Sequence, residues 1–189
     1  MALSRLAICS RALLKLGANT IASFDDGTTE AEVAANLYPS LRDALLSAHP
    51  WNFATGQIQL AKLSAEPIAD YQSAFQLPAD FLRALSAGLD GRGHGVEYRI
   101  NERRLYANAD TVVLTYVFRP DELSFPPFFD QMLIARLAAE FCIPITESTS
   151  RADALRRQAE VEFKSAKSID SQQDIPGRIE DFSLIAVRQ

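Results

Sequence analysis

The sequence predicts an α+β fold: mainly a bundle of four helices, with a small antiparallel β insertion between helices 2 and 3 and an extended C-terminal tail. Before residue 50 and after residue 126, apolar residues recur every three or four positions, which is the spacing of one helix face. Between about residues 55 and 120 they alternate, which is typical of strands. We therefore predict one domain over residues 1–169 and a tail over residues 170–189.

Composition favours a soluble globular protein. Of 189 residues, 48% are apolar and 23% are charged, which are ordinary values for a chain that buries a core. The net charge of -5 does not indicate a basic surface of the kind that binds nucleic acid phosphates. No apolar run reaches the roughly 18 residues that a membrane span needs, so we expect no membrane contact. Cys9 and Cys142 lie far apart within helical patterns, which favours buried free thiols.

Two helices are predicted at the start, over about residues 3–17 and 29–49. In the second, Thr29 and Glu32 have the spacing of a capping box. Its apolar stripe is predicted to face the core, and Pro50 ends it. Trp51 and Phe53 then anchor the chain where it leaves the helix. The stripe consists of Val33, Leu37, Leu41, Ala44 and Ala48.

The β insertion spans about residues 55–120 and is predicted to form an antiparallel meander. Its last strand, residues 111–118, has apolar residues at both odd and even positions, which indicates burial on both faces. The glycine-rich stretch at residues 91–95 lies between strands and therefore indicates a turn rather than a phosphate-binding loop. The other predicted strands cover residues 57–60, 71–77, 81–89, 96–100 and 104–107.

Two further helices are predicted over about residues 127–142 and 146–168. The third helix is apolar nearly all round and should be the central one, with Pro144 ending it. The fourth has a narrow apolar stripe and should lie outside. Its charged face could meet a neighbouring subunit, and the candidate interface residues are Arg151, Arg156, Arg157 and Glu160.

The tail over residues 170–189 starts polar, breaks at Pro176-Gly177 and then turns apolar. Burying each large apolar side chain would contribute about 1.5–3 kcal/mol, so the segment is expected to pack on a surface. That surface belongs either to a partner or to the chain's own domain. The apolar residues concerned are Ile179, Phe182, Leu184, Ile185 and Val187.

Signals of catalysis are weak. The two histidines, His49 and His94, have neither a second histidine nor a cysteine pair at metal-binding spacing. A cysteine nucleophile would require Cys142 and His49 to meet in the fold. We predict no catalytic residues, no metal site and no cofactor.

Three segments of the sequence form a recognisable series: SRAL with LG at residues 10–13 and 16–17, LYPSLRDALLSAHPWNFA at residues 37–54, and YQSAFQLPADFLR at residues 71–83. In this order they resemble the tail tubular protein A family, the head-to-tail adaptors, or connectors, of tailed bacteriophages and gene transfer agents. The resemblance covers the chain to about residue 168. It implies a helical bundle with a β-rich insertion, and a structural rather than an enzymatic role.

The resemblance also implies partners and a location. Family members form a ring of twelve subunits beneath the portal protein, at the head-tail junction of the virion, after assembly in the host cytoplasm. The ring continues the DNA channel and provides the attachment site for a downstream tail, stopper or nozzle protein. The acidic chain fits a lumen through which DNA passes without specific binding. On this interpretation the apolar residues of the tail dock into the portal, and the fourth helix contributes to the subunit interface.

Two alternatives come from other classes of function. One is a small soluble enzyme, a hydrolase with a site in the β region that would use His94, Glu102 or Arg103. The other is a DNA-binding regulator, against which the acidic charge and the lack of a recognisable recognition helix argue.

Overall fold

The computed structural model describes residues 3–65, 67–89 and 93–173. Within them the chain is a mixed α+β protein, which confirms the predicted class. Its helices are α1 (Arg5–Lys15), α2 (Thr29–Ala48), α3 (Pro127–Thr146) and α4 (Thr149–Ser171). All strands lie between α2 and α3 in the chain: β1 (Thr55–Gln59), β2 (Ser73–Gln76), β3 (Phe81–Gly88), β4 (Tyr98–Asn101), β5 (Arg104–Ala107) and β6 (Val113–Phe118).

Hydroxyl side chains cap three of the four helices. The Ser4 side chain accepts from the Ala7 N–H at the start of α1, and Ser148 does the same for Arg151 in α4. In α2 the capping residue is Thr28, which accepts from the Ala31 N–H at 3.2 Å. The predicted capping box of Thr29 with Glu32 is therefore wrong by one residue, because the chain turns into the helix earlier.

Helix α3 is the centre of the helical part, as predicted, and α1, α2 and α4 all pack on it. Pro144 does not end α3. A proline removes the hydrogen bond of its own nitrogen and crowds the preceding turn, but the residues after it can still donate, and the helix continues for two more residues to Thr146. It ends at Glu147, which takes a left-handed conformation with φ 54° and donates its N–H to the Ile143 carbonyl.

Helix α4 starts three residues later than predicted and ends at Ser171 instead of residue 168. Asp170, which was assigned to the tail, therefore lies in the last helical turn and is 1% exposed. As predicted, most positions of α4 face solvent, and its buried positions follow one narrow line of small residues: Ala152, Ala159 and Ala166.

The buried face of α2 is not the predicted stripe. Ala31, Ala34, Tyr38 and Leu46 are buried, whereas Ala44 and Ala48 are exposed and the rest of the stripe is half-buried. The helix is rotated because Tyr38 is 2% exposed and carries its hydroxyl into a polar contact. Within the predicted stripe, Leu41, Ala44 and Ala48 border a groove on the surface, whereas Val33 and Leu37 pack against the edge of the core.

The strands form two antiparallel sheets, with the orders β1-β6-β3 and β2-β5-β4. The predicted single meander is wrong, because β6 returns to lie between β1 and β3 while β2 and β4 pair with β5. Strand β6 is covered on both faces, as predicted. Val117 packs in the helical core, and Leu114 packs in a second core shared with the β2-β5-β4 sheet.

Candidate assembly site

One polar network joins α2 to the chain that follows β6, and it is built largely from the Tyr38–Asp43 segment. The Arg42 guanidinium donates to the Glu122 carboxylate at 2.6 Å and to the Asp43 carboxylate at 2.9 Å. The Tyr38 hydroxyl donates to Glu122 at 3.3 Å. We call Tyr38, Arg42, Asp43, Arg119 and Glu122 the junction network.

Arg119 completes the network by donating twice to the two carboxylate oxygens of Asp43, at 3.0 and 2.6 Å. Burial alone would raise the pKa of Asp43, but hydrogen bonds from Arg119 and Arg42 outweigh it and hold that pKa below its usual range. Burial raises the pKa of Tyr38, so its hydroxyl stays protonated as a donor. The network therefore holds two carboxylates, two guanidiniums and a phenol in a fixed arrangement.

The segment at residues 77–83 reaches the same region from the sheet. Arg83 on β3 donates to the Ser47 carbonyl near the end of α2 at 2.7 Å. The Asp80 carbonyl accepts from the Arg119 N–H at 2.9 Å, and its carboxylate lies 3.4 Å from the Tyr116 hydroxyl. Both segments thus fix the β1-β6-β3 sheet against α2.

Trp51 anchors the chain after α2, as predicted. It is fully buried, and its indole N–H donates to the Leu45 carbonyl at 2.9 Å. Its ring lies edge-on to Phe129 and Phe163, with centroids 5.3 and 6.0 Å away. The residue therefore ties the end of α2 to both α3 and α4.

Asp170 joins the end of α4 to the same stretch of chain. Its carboxylate accepts the backbone N–H of Asn52, and its carbonyl accepts from the Asn52 side-chain amide at 2.8 Å. The His49 ring is 3.6 Å from the carboxylate. Burial raises the pKa of Asp170 and lowers the pKa of His49. We call these three residues the C-terminal latch.

An open apolar groove of about 290 Å³ runs over α3 between α2 and α4. Small side chains on its walls, among them the exposed Ala44 and Ala48, leave it unfilled. Arg136 and Glu160 lie at its polar side and are 3.6 Å apart. We call it the α2-α4 groove; its lining residues are Leu41, Ala44, Leu45, Ala48, Met132, Arg136, Ala159, Glu160 and Phe163.

The structure does not bring the four predicted interface residues of α4 into one patch. Arg151 donates to the Lys15 carbonyl at the end of α1, whereas Glu160 lies at the groove. Arg156 is 3.5 Å from Asp153 on its own helix. Arg157 is exposed. The five apolar residues of the predicted tail, from Ile179 to Val187, lie outside the described residues.

Two strand edges are open within the part of the chain that the structure describes. Strand β1 pairs with β6 alone and β4 pairs with β5 alone, so each has an outer edge of unpaired backbone groups. The outer edge of β2 is covered by a bridge between Lys62 and Phe75, and the last residues of the outer edge of β3 by a bridge between Gly88 and Gly95. Open edges of this kind can accept a strand from another chain.

The residues of the hydrolase alternative lie in two different connections between strands. Glu102 and Arg103 form the tight turn between β4 and β5, with φ of 49° and 58°, and His94 is exposed beside the bridge at Gly95. No hydrogen bond joins His94 to either of them among the described side chains. Cys142 contacts Thr146 and Ser148, whereas His49 contacts Asp170. Over the same residues, no cluster of three or more His, Cys, Asp or Glu is arranged to hold a metal ion.

Asp130 is the functional candidate that sequence reasoning missed. It lies on the core helix α3 and is 5% exposed, and its Oδ1 has no hydrogen-bond partner among the described residues. Burial raises its pKa to about 6, although Arg11 opposes the rise. Its position within an apolar helical pattern was the available signal. Cys9 and Cys142 are both buried free thiols, as predicted.

No family model matches the chain, and no curated protein is significantly similar to it. In residues 3–65, 67–89 and 93–173, no helix combines the length and apolar character that a membrane crossing requires.

Proposed function

We propose that the chain is a head-to-tail adaptor of a tailed phage or gene transfer agent, a structural protein that forms a ring beneath the portal. On this proposal the four helices form the bundle of the adaptor fold and the two sheets are its insertion. The ring, of twelve subunits by resemblance, continues the DNA channel and offers its lower face to a tail, stopper or nozzle protein. It acts at the head-tail junction of the virion after assembly in the host cytoplasm.

One observation carries the proposal: the segments that resemble the adaptor family form the framework between the helices and the sheets. Tyr38, Arg42 and Asp43 belong to one segment, and their side chains bond from α2 to the chain after β6. In the other segment the Arg83 side chain bonds from β3 to α2, and the Asp80 side chain bonds to Tyr116 within the sheet. These residues are engaged in holding two parts of the fold in register. Motif residues used in this way favour a structural role over a catalytic one.

The net charge of the chain and its open strand edges are compatible with a ring that surrounds DNA. A net charge of -5 disfavours the many phosphate contacts that would make a duplex adhere to the lumen. Closing a ring requires two different surfaces on each subunit to meet. The open edges of β1 and β4 and the exposed side of α4 around Arg157 offer such surfaces.

We further propose that the apolar residues of the tail dock into the portal. The C-terminal latch sets where a truncation should be made, because deletion from residue 170 would remove Asp170 and its bonds to Asn52. A chain that ends at Gln173 keeps the latch. The matched point variants are Phe182→Ser, which removes an apolar anchor, and Asp181→Asn, which changes the adjacent polar residue.

The test is capture of each variant by purified portal rings from the same particle. We expect the full chain and the Asp181→Asn variant to add a collar to the portal, and the truncated chain and Phe182→Ser to lose it while still unfolding in one cooperative transition. Equal capture of all four chains would refute docking through the tail.

A further inference from the structure

The two walls of the α2-α4 groove end together. Ala48 on the α2 wall is the last residue of its helix, and Asn52 just beyond it holds Asp170 in the last turn of α4. The C-terminal ends of both helices therefore lie side by side at one mouth of the groove. Because the latch fixes Asp170, the chain beyond α4 must leave from this mouth.

The sequence that follows contains a turn signal a few residues after the end of α4. Gln173 is the last described residue, and Pro176-Gly177 follows three positions later. Proline and glycine in this order suit the two central positions of a type II turn, where proline fixes φ and glycine allows a positive φ. A turn there would send the next residues back along the groove.

The segment is long enough to reach the groove. A turn at Pro176-Gly177 would bring Ile179 back to about the level of Gln173. Phe163, the groove residue nearest the end of α4, is ten positions before Gln173, or about 15 Å back along the helix. The nine residues from Ile179 to Val187 can span about 26 Å when extended, so they could pass Phe163 and reach Ala159.

The chemistry of the two surfaces also matches. The groove volume of about 290 Å³ is at the low end of the roughly 300–1,000 Å³ of sites for drug-sized molecules, and its shape is open. A few aliphatic or aromatic side chains on a peptide would fill it. Its rim offers both charge signs, with Glu160 on one wall and Lys167 over the Phe163 ring at 5.5 Å. The segment also carries both signs, at Arg178 and Glu180.

We infer that residues 179–187 dock into the α2-α4 groove of their own chain. In the free protein the groove covers the apolar segment, which would otherwise be exposed to water. Docking is inferred from the shape of the α2-α4 groove, from the position at which the C-terminal latch fixes the end of α4, and from the length of the segment. Its consequence, that the portal-binding segment is stored until a portal displaces it, rests on the proposed function.

A pair of disulfide variants tests the docking in the full chain without any portal. Ser183→Cys places a thiol in the segment and keeps all five apolar side chains. It is combined with Glu160→Cys at the groove. The matched control combines it with Gln158→Cys instead. Gln158 is an exposed position two residues earlier, and it points to nearly the opposite side of α4. Cys9 and Cys142 are buried and should not interfere.

A disulfide needs its two Cβ atoms within about 4.5 Å, so it reports a held position. We expect an intrachain bond in the Glu160→Cys chain at low protein concentration, and its loss in the Gln158→Cys chain. Adding Ala48→Trp, which fills the groove from an exposed position, should also abolish the bond, and the melting temperature of each variant checks its fold.

Three results would overturn the inference: equal oxidation rates in the two double variants, a bond that survives Ala48→Trp, or disulfide-linked dimers, which would assign the groove to a second copy. Since the assay contains no portal, its failure is separate from a failure of the adaptor role. If the segment is stored, Ala48→Trp should also speed capture by portal rings several-fold.

Discussion

Asn52 and Asp170 bind each other twice across 118 positions of sequence. The Asn52 backbone N–H lies 3.2 Å from each carboxylate oxygen of Asp170, and its side-chain amide donates to the Asp170 carbonyl at 2.8 Å. This contact closes the helical part of the protein by joining the end of α4 to the stretch between α2 and β1. It also fixes the point from which the C-terminal segment departs.

Replacing Asp170 by alanine should destabilise the protein because the Asn52 N–H loses its acceptor in a part-buried hydrogen bond. Hydrogen bonds to charged groups contribute about 1.5–3 kcal/mol each, and the burial that raises the pKa of Asp170 offsets part of that gain. For a chain of this size each kcal/mol corresponds to about 2–4 °C in melting temperature. Thermal melts should therefore show a loss of roughly 3–9 °C, whereas Ser165→Ala, at an exposed position of the same helix, should leave the melt unchanged. Equal melts for the two variants would mean that the latch contributes nothing.

Asp130 should make the protein less stable as pH rises from 4 to 7. Burial raises its pKa from 3.8 to about 6, so between these values the folded state binds more protons than the unfolded state. The penalty is absent below pH 3.8 and fully present above pH 6, where it corresponds to about 3 kcal/mol.

The Asp130→Asn variant tests this directly, since it keeps the shape of the side chain and removes the charge. We expect it to melt above the parent chain at pH 7 and to converge with it near pH 4. Denaturation at several pH values, with the difference between the two chains plotted, isolates this group from the other carboxylates. A variant that is less stable than the parent at pH 7 would show that the carboxylate has a favourable partner.

The Arg42 side chain should contribute far more to the free energy of unfolding than a surface ion pair does. It contacts Glu122, and the two side chains are only 14% and 18% exposed. Arg42→Ala should cost about 2–3 kcal/mol, since Glu122 would keep only the 3.3 Å bond from Tyr38 and Asp43 only the bonds from Arg119. Lys62 offers the matched control, because its 2.8 Å bond to Asp110 is equally short but the Asp110 side chain is 96% exposed. Lys62→Ala should change stability by at most about 0.5 kcal/mol. Similar losses in urea denaturation would contradict the structural role of the junction network.

The exposed side of α4 can be tested as a subunit contact. Arg157→Glu should leave the melting temperature unchanged and prevent ring assembly if α4 meets a neighbour. Arg103→Glu makes the same charge change at the exposed β4-β5 turn, and it should assemble normally. Size-exclusion chromatography with light scattering distinguishes the two. Normal rings from Arg157→Glu would move the interface elsewhere, and the open edges of β1 and β4 would be tested next.

Local periodicity predicted which segments are helices and which are strands, since that information lies within each segment. Helix α3 was identified as central because it is apolar on all sides. The order of the strands was predicted wrongly, because the pairing of β6 with both β1 and β3 depends on contacts between residues about 25 to 62 positions apart. The rotation of α2 was also predicted wrongly, because it depends on the bond from Tyr38 to Glu122.

The candidate site was less predictable than the fold. Arg151, Arg157 and Glu160 were correctly identified as outward positions, but the sequence could not show that they point to different neighbours. The α2-α4 groove could not be predicted from the sequence for a related reason. An apolar stripe normally indicates a buried face, and only the packing of α3 and α4 reveals that half of this one is open.

The measurement closest to the central claim is sedimentation velocity of the full chain, alone and mixed with the portal protein of the same particle, with negative-stain imaging of each peak. An adaptor should sediment as a closed ring, or join the portal as a collar that extends its channel. A chain that remains monomeric at all concentrations and sediments independently of the portal would contradict the adaptor function.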